Sequence, residues 1–516
     1  MLCELLIVLV IGGALFYHWA TKNNDFFVKR NIPHDKATFL FGALKDVNLK
    51  KKTTFQLLCE IYRKHEGMVY GVFENRQPVF YIRDPDMIKH ITIKDFDHFI
   101  NHRNLQRGNR DTLLSNSLVK MEDDRWRDMR STLTPVFTGS KLRQMFQLIV
   151  QSIDEALGYL REEQRKNSVN PAEGFELELK DFTSRLTTDI IASTAFGLQV
   201  NSYRDKDNEF YVTSKNVIKF SAKQILKVMF IMIFPKIAEY LKVDAIDKKH
   251  SSYFMHLVLD AMKYRQENNI HRPDMINLLM EARGMIPSAH VSKSQNHQWS
   301  DMAMVAQCFL FYLAGFETTA GLMSLASHEL MENPDVQNRL YEEIQQTDEE
   351  LEGQQLTYEA LQKMTYMEMV VSEVLRKWPI PLSTDRMCNK DFEYVSPSTG
   401  ERVVIKKGDV IRIPICGIHL DPKYYENPNV IDPERFNEEN KSKIQYGTYL
   451  PFGMGPRSCI GNRFALLEAK TFLYYLLRDY RLEPSPKSCI PLVLDPKSVN
   501  LMAKNGFWIK FIPRKS

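Results

Sequence analysis

The sequence predicts a mainly α protein with a minor β region, held to a membrane by an N-terminal transmembrane anchor. Three observations carry this. Leu2 to Ala20 is apolar apart from Glu4 and a few mildly polar groups. Helical periodicity dominates from about Asp86 onward. The β-branched and aromatic residues typical of strands concentrate in short runs, Val79 to Ile82, Val403 to Ile415 and Leu501 to Ile512.

The anchor comes first in the chain. At roughly 1.5 Å per residue, Leu2 to Ala20 reaches about 29 Å, near the hydrocarbon thickness of a bilayer. A cleaved signal would want a basic start and small residues at its exit, whereas Glu4 stands in front here and Tyr17, His18 and Trp19 behind. The expected division is an anchor over 1–21, a tether over 22–50 and a catalytic domain over 51–516. Lys22, Lys29 and Arg30 follow the span, so the positive-inside tendency places the body in the cytosol.

Composition excludes more than it assigns. Lys plus Arg total 68 against 64 for Asp plus Glu, a balance that suggests neither a nucleic-acid binder nor a strongly acidic partner. Seven cysteines with no CxxC pair argue against a disulfide scaffold or a structural zinc site. Val228 to Phe234 is apolar, ends at Pro235 and is flanked by Lys219, Lys223, Lys227 and Lys236. It reads either as a buried helix or as an interfacial membrane contact.

Gly284 to Ser300 reads as a surface loop, and Ser300 as the N-cap of a helix running from Asp301 to about Asn333, where Pro334 stops it. That helix is apolar on nearly all faces, so it must be buried. Its middle carries Ala314-Gly315-Phe316-Glu317-Thr318-Thr319. Burying a carboxylate beside two hydroxyls costs several kcal/mol unless something satisfies them. The plainer explanation is that Glu317 pairs with a base elsewhere and the threonines bond back to carbonyls one turn earlier; the other is catalysis.

Residues 452–461 read Phe-Gly-Met-Gly-Pro-Arg-Ser-Cys-Ile-Gly, and each fixed position has a use around a haem iron. Cys459 would supply a thiolate ligand. Gly453 and Gly455 permit a tight turn with backbone N–H groups aimed at the sulfur. Phe452 would shield the sulfur from water, Arg457 can reach a carboxylate of the cofactor, and Gly461 would let the helix from Asn462 approach closely. With Pro451 before it and Arg463-Phe464-Ala465 after, this segment resembles the haem-binding loop of the cytochrome P450 family.

The resemblance extends along most of the chain and implies the cytochrome P450 fold. Glu317 and Thr318 look like the family's oxygen-activation motif, in which an acid and the next alcohol deliver protons; Gly315 would leave room above the iron. Glu373 and Arg376, three apart on a helix ending at Trp378-Pro379, would form with Arg435 a structural charge cluster. Trp126 and Arg130 match the family's Trp-x-x-x-Arg helix, where indole and guanidinium hold a haem propionate, and Arg386 matches a second such position. Substrate-lining residues are expected within Phe99 to Val119, Val228 to Phe234, Phe311 to Phe316, Ile380 to Thr384 and Ser498 to Met502. The usual hinge after the anchor is reduced here to Pro33 and Gly42.

The implied function is a haem-thiolate monooxygenase of the endoplasmic reticulum membrane, inserting one atom of dioxygen into lipophilic substrates. Its cofactor would be haem b. Electrons would come from NADPH through NADPH-cytochrome P450 reductase, with cytochrome b5 as a further donor. Membrane lipid and lipophilic small molecules are the other expected partners, and nucleic acid is not. Reductase docking is expected on basic residues near the cysteine, such as Arg127, Lys141, Arg143 and Arg463. Asp95 to Phe99, Leu133 to Phe146 and Glu373 to Pro379 look most like insect microsomal members that metabolise xenobiotics. Two alternatives within the same cofactor chemistry stay open, an isomerase or dehydratase acting on peroxides without a reductase, and a hydroxylase of endogenous lipids or hormones. A non-catalytic haem sensor or carrier is a third.

Overall fold

The computed structural model describes residues 1–103, 112–167, 173–218, 222–244, 246–272, 274–286 and 299–514. Eight helices matter for the site: α1 (Leu2–Thr21), α2 (Asp123–Leu133), α3 (Gly139–Asn167), α4 (Leu179–Ile191), α5 (Ala222–Ile233), α6 (Asp301–Glu332), α7 (Thr365–Lys377) and α8 (Asn462–Asp479). Nine strands form among the described residues: β1 (Val69–Glu74), β2 (Gln77–Ile82), β3 (Phe175–Glu178), β4 (Thr384–Met387), β5 (Phe392–Val395), β6 (Arg402–Ile405), β7 (Val410–Ile413), β8 (Tyr480–Pro484) and β9 (Trp508–Pro513). The chain is thus mainly helical with small sheets, as its periodicity predicts.

The central element is α6. Ser300 Oγ accepts the Ala303 N–H at 3.1 Å, the expected N-cap, and Asn333 closes the other end. Because its apolar residues face all directions, α6 is buried over most of its surface and is wrapped by α4, α7, α8 and the helix Lys248–Glu267. Packing against α4 is close: a Cβ at Gly315 would meet the tip of the Ile191 side chain, which would have to shift. Gly315 thus lies against a neighbouring helix and also borders the cavity that holds Cys459.

The sheets sit to one side. The largest has the order β1-β2-β7-β4, with β2 and β7 parallel and the other pairs antiparallel. β3, β9 and β8 form a second sheet, and β5 and β6 pair alone. Only the last part of Leu501 to Ile512 is a strand: β9 begins at Trp508, and the residues before it form turns and one isolated bridge.

Most of α1 is exposed, and it is long and apolar enough to cross a membrane. Residues 22–50, expected as a tether, pack on the first sheet. Phe27 is fully buried against Phe73 and Phe80, Pro33 O accepts the Gly71 N–H at 2.7 Å, and Arg30 pairs with Asp409. The exit of α1 is clamped too: the Trp19 ring stacks on Phe234 at 5.4 Å and lies 3.4 Å below the Arg76 guanidinium. The apolar segment after Lys227 is helical through Ile233 in α5, and Val228 and Ile231 turn inward while Leu226 is exposed. Lys227 pairs with Asp247 at 3.0 Å and Lys236 is exposed; Lys219 and the side chain of Lys223 lie outside the described residues.

Candidate active site

Cys459 stands on a turn just before α8, and its side chain opens into a cavity of about 450 Å3. The turn is held locally. Cys459 N donates to Phe452 O at 2.8 Å and Ser458 N to Gly455 O at 2.9 Å. Gly453 and Gly455 have φ of 73° and 74°, left-handed values that side chains resist, and a Cβ on Gly455 would collide with the Thr92 carbonyl. One detail differs from expectation. The Gly453 N–H is spent on Leu450 O at 3.0 Å, and the backbone N–H that reaches the thiol is that of Gly461. Burial pushes the thiol pKa up, while the Gly461 N–H and the Arg130 charge act the other way. Gly461 itself is not crowded: a Cβ there would meet only Phe137, at 3.8 Å, so the protein alone does not require its close approach.

Opposite the cysteine, α6 supplies Leu310, Phe311, Ala314, Gly315 and Thr318 to the cavity, and Phe452, Val136, Ile380 and Leu375 extend its apolar lining. One end is cationic. Trp126 and Arg130 both line it from α2, and Arg130 donates to Ser458 O at 2.9 Å. Arg457 stacks on Trp126 at 4.0 Å and donates to three backbone carbonyls, those of Ile100, Leu118 and Met121. Arg386, on β4, is buried and donates to Thr384 Oγ1 and Asp385 O, while its Nε has no partner.

Among the described residues no carboxylate forms an ion pair with Arg130, Arg386 or Arg457. Burial pulls Arg457 down to about 9, with the charges of Arg386 and Arg130 adding to it, and pulls Arg386 down to about 10 against the pull of Asp385. One buried guanidinium, that of Arg386, and two half-buried ones, those of Arg130 and Arg457, without an ion-paired carboxylate make an unfinished electrostatic site, and a planar group bearing carboxylates would complete it. With an open thiol on one wall and an unpaired Arg386 Nε beside the other end, the residues fit haem b: Cys459 for the iron and Trp126, Arg130, Arg386 and Arg457 around its carboxylates.

His102 is a member of this end that sequence reasoning missed. Its Nδ1 lies 2.9 Å from Asp385 and 3.4 Å from Arg386 Nη1, and its ring lines the cavity. No spacing rule could have found it, because Asp385 is far away in the chain.

Glu317 is placed differently from Thr318. Its carboxylate meets Lys180 Nζ at 3.1 Å and Asn500 Nδ2 at 2.9 Å, and Thr318 Oγ1 donates to Ala314 O one turn back. The plainer sequence explanation thus holds for Glu317 and Thr318, whereas the buried Thr319 hydroxyl makes no such bond. Thr318 still lines the cysteine cavity, whereas Glu317 faces a second, outer cavity of about 1370 Å3 that Thr318 also borders.

Behind the cysteine turn Glu373, Arg376 and Arg435 come together in the charge cluster that the family resemblance implies. Arg376 holds Glu373 through two bonds of 2.7 Å, both side chains fully buried, and Arg435 reaches Glu373 at 3.3 Å. His419 links this cluster to the turn: its Nδ1 lies 3.0 Å from Arg376 O and its Nε2 accepts the Leu450 N–H at 2.7 Å. That pattern needs a neutral ring, and burial, reinforced by the Arg376 charge, lowers its pKa from 6.5 to about 3. The unfolded chain therefore binds the extra proton across that window, so stability present in full above pH 6.5 is lost on acidification, at up to about 1.4 kcal/mol per pH unit for this one group. Urea unfolding at pH 7 and pH 5 is expected to show that loss and His419→Gln to reduce the difference; an unchanged pH dependence in His419→Gln would rule out His419 as its source.

A thiol on a glycine-rich turn, open to a cavity with an arginine-lined end and facing a long buried helix across it, defines a haem-thiolate protein. Residues 33–511 match the family model for cytochrome P450, so the chain belongs to the cytochrome P450 family and is a monooxygenase. It is 52% identical to probable cytochrome P450 9f2 of Drosophila melanogaster over 522 residues, covering 100% of both chains. It is also 42% identical to cytochrome P450 9b2 of Drosophila melanogaster, again over 100% of both, and 30% identical to cytochrome P450 6A1 of Musca domestica, over 98% of this chain and 97% of that one. Its relatives include insect members of the type that its sequence resembles.

Proposed function

We propose that this chain is a membrane-anchored monooxygenase of lipophilic xenobiotics in the endoplasmic reticulum, fed with electrons from NADPH by NADPH-cytochrome P450 reductase, with cytochrome b5 as a second donor. The observation that carries the substrate class is the lining of the two cavities. Phe311, Leu310 and Ile380 near Cys459 offer an apolar body few polar anchors, while the outer cavity sets Val228, Ile231 and Met502 among charged groups such as Lys180, Asp181, Lys215 and Glu317. Most of these apolar residues lie in the segments expected to line the pocket; residues 104–111, within Phe99 to Val119, fall outside the described residues. The anchor at 1–21, with exposed Leu226, Ile237 and Tyr240 near Phe234, suits a body resting on the cytosolic face of a membrane.

When bound, haem supplies reductive activation of dioxygen, and the Cys459 sulfur tunes it by donating electron density. The protein's part is positional. The arginine end orients the ring, the apolar wall excludes water, and Thr318 with Glu317 moves protons inward. Such a proton pair is not needed to rearrange a peroxide, which favours oxygenation over an isomerase or dehydratase.

Reconstitution with NADPH, reductase and isotopically labelled dioxygen, against compounds chosen by their binding difference spectra, is expected to give singly labelled products. Turnover of hydroperoxides with no label incorporated would instead assign the rearranging activity. For electron delivery, Arg127 is bound to Asp97 at 2.6 Å and Arg143 to Glu359 at 2.5 Å, whereas Arg463 is exposed at the start of α8. Arg463→Glu with Lys141→Glu is expected to slow reduction by the reductase while leaving substrate affinity alone; equal reduction rates would remove this face as the docking site.

A further inference from the structure

The outer cavity is charged, and its charges do not cancel. Its carboxylates are already held: Glu317 by Lys180 at 3.1 Å, Asp181 by Arg185 at 2.8 Å and Lys215 at 2.9 Å, and Asp247 by Lys227 at 3.0 Å. Glu178 accepts the backbone N–H groups of Lys180, Asp181 and Phe507. Three lysines on the same lining are left over. Among the described residues no carboxylate lies within ion-pair distance of Lys50, Lys120 or Lys497. Lys120 Nζ donates to Arg103 O and Lys50 Nζ to Lys497 O, both at 3.3 Å, so these two ammonium groups meet only main-chain carbonyls.

Lys120 stands where the two spaces meet. Its neighbour Val119 lines the inner cavity with Cys459 while Lys120 lines the outer one, and on α6 Thr318 borders both. Lys497 is exposed, whereas Lys120 is half-buried. Burial lowers the Lys120 pKa; Asp385 opposes this, Arg103 adds to it and Glu122 opposes it. Asp385 is itself bound to His102 at 2.9 Å. An ammonium carries three donors, and one long bond to a carbonyl occupies one of them, so Lys120 has donors and charge to offer a ligand. Leu313, Phe316, Ile231 and Met502 make the rest of the outer lining partly apolar.

We propose that Lys120, supported by Lys50 and Lys497, binds the carboxylate of substrates that are apolar acids, with the head in the outer cavity and the body passing Thr318 toward Cys459. The choice of a monocarboxylate follows from the donors. Among the described residues no arginine lines the outer cavity, so the planar fork that suits a phosphate is absent, and one half-buried ammonium matches one negative charge. A head held away from the sulfur puts oxygen on tail carbons remote from it. One C–H of the tail becomes C–OH, the second oxygen atom of dioxygen leaves as water, and NADPH with one proton becomes NADP+. This inference rests on the reading of the chain as a monooxygenase of lipophilic compounds and narrows its substrate class.

The test uses the full-length haem-loaded protein and two probes of equal chain length, dodecanoate and its methyl ester, each titrated by its binding difference spectrum. Lys120→Met should cut the ratio of dodecanoate affinity to ester affinity about tenfold, and Lys120→Arg should keep it. Added salt should weaken the binding of dodecanoate alone. Lys50→Met with Lys497→Met should lower the same ratio by less, so the role is readable even if Lys120→Met, checked by its haem content, does not fold. With reductase, NADPH and labelled dioxygen, label should enter near the methyl end of dodecanoate in the wild type and spread along the chain in Lys120→Met. An affinity ratio that neither these substitutions nor salt moves, or label scattered along the chain in the wild type, would overturn the proposal. If 7-ethoxycoumarin gains label while dodecanoate does not bind, the carboxylate site falls and the monooxygenase stands. If no compound gains label but the ratio still drops in Lys120→Met, the site stands and the monooxygenase reading falls.

Discussion

Cys459→Ala is expected to reduce turnover to background and to abolish the absorption by which a reduced, carbon monoxide-treated haem reports a sulfur ligand. The expectation follows from what else faces the cavity. Among the described residues His102 is the one imidazole lining it, and Asp385 holds that ring at 2.9 Å at the arginine end. Among the described residues no second cysteine lines the cavity, so no other thiolate can take the place of the Cys459 sulfur. The arginine end is untouched by the substitution, so haem should still bind, more weakly, with an altered spectrum. A Cys459→Ala protein that kept both the thiolate-type absorption and its turnover would place the iron on another residue and overturn the site.

Arg376→Ala is expected to cost about 3 to 5 kcal/mol, most or all of the stability of many domains, so that little haem-bound protein accumulates. Truncation leaves Glu373 as an unpaired charge that is fully buried, and removes the donor to His419 O at 2.9 Å. The loss should propagate, since His419 holds Leu450 and Leu450 O receives the Gly453 N–H of the cysteine turn. Arg376→Lys keeps the charge but cannot make both 2.7 Å bonds, so an intermediate loss is expected. Urea unfolding and haem content measure both variants; a midpoint shift equivalent to less than about 0.5 kcal/mol for Arg376→Ala would mean that the cluster is not the strut described.

The parts of the site legible in the sequence share one property: each is written in consecutive or helically spaced residues. The turn around Cys459 needs glycine at positive φ, which a reader can find at Gly453 and Gly455 without knowing what surrounds them. The burial of α6 follows from an apolar surface with no polar side, Trp126 and Arg130 share a face because four residues make about one helical turn, and Glu373 and Arg376 are one turn apart on a helix ended by proline.

Tertiary structure alone decided which groups meet across the fold. That Gly315 makes room for Ile191, that Lys180 and Asn500 take Glu317, that His102 joins Asp385 beside Arg386, and that Gly461 rather than Gly453 turns its N–H to the sulfur are long-range or sub-turn facts. The physical reason is that hydrophobic periodicity records which face of an element is buried but not what is packed there. A charge or amide carries no period, and its partner is fixed only when the chain has folded back upon itself.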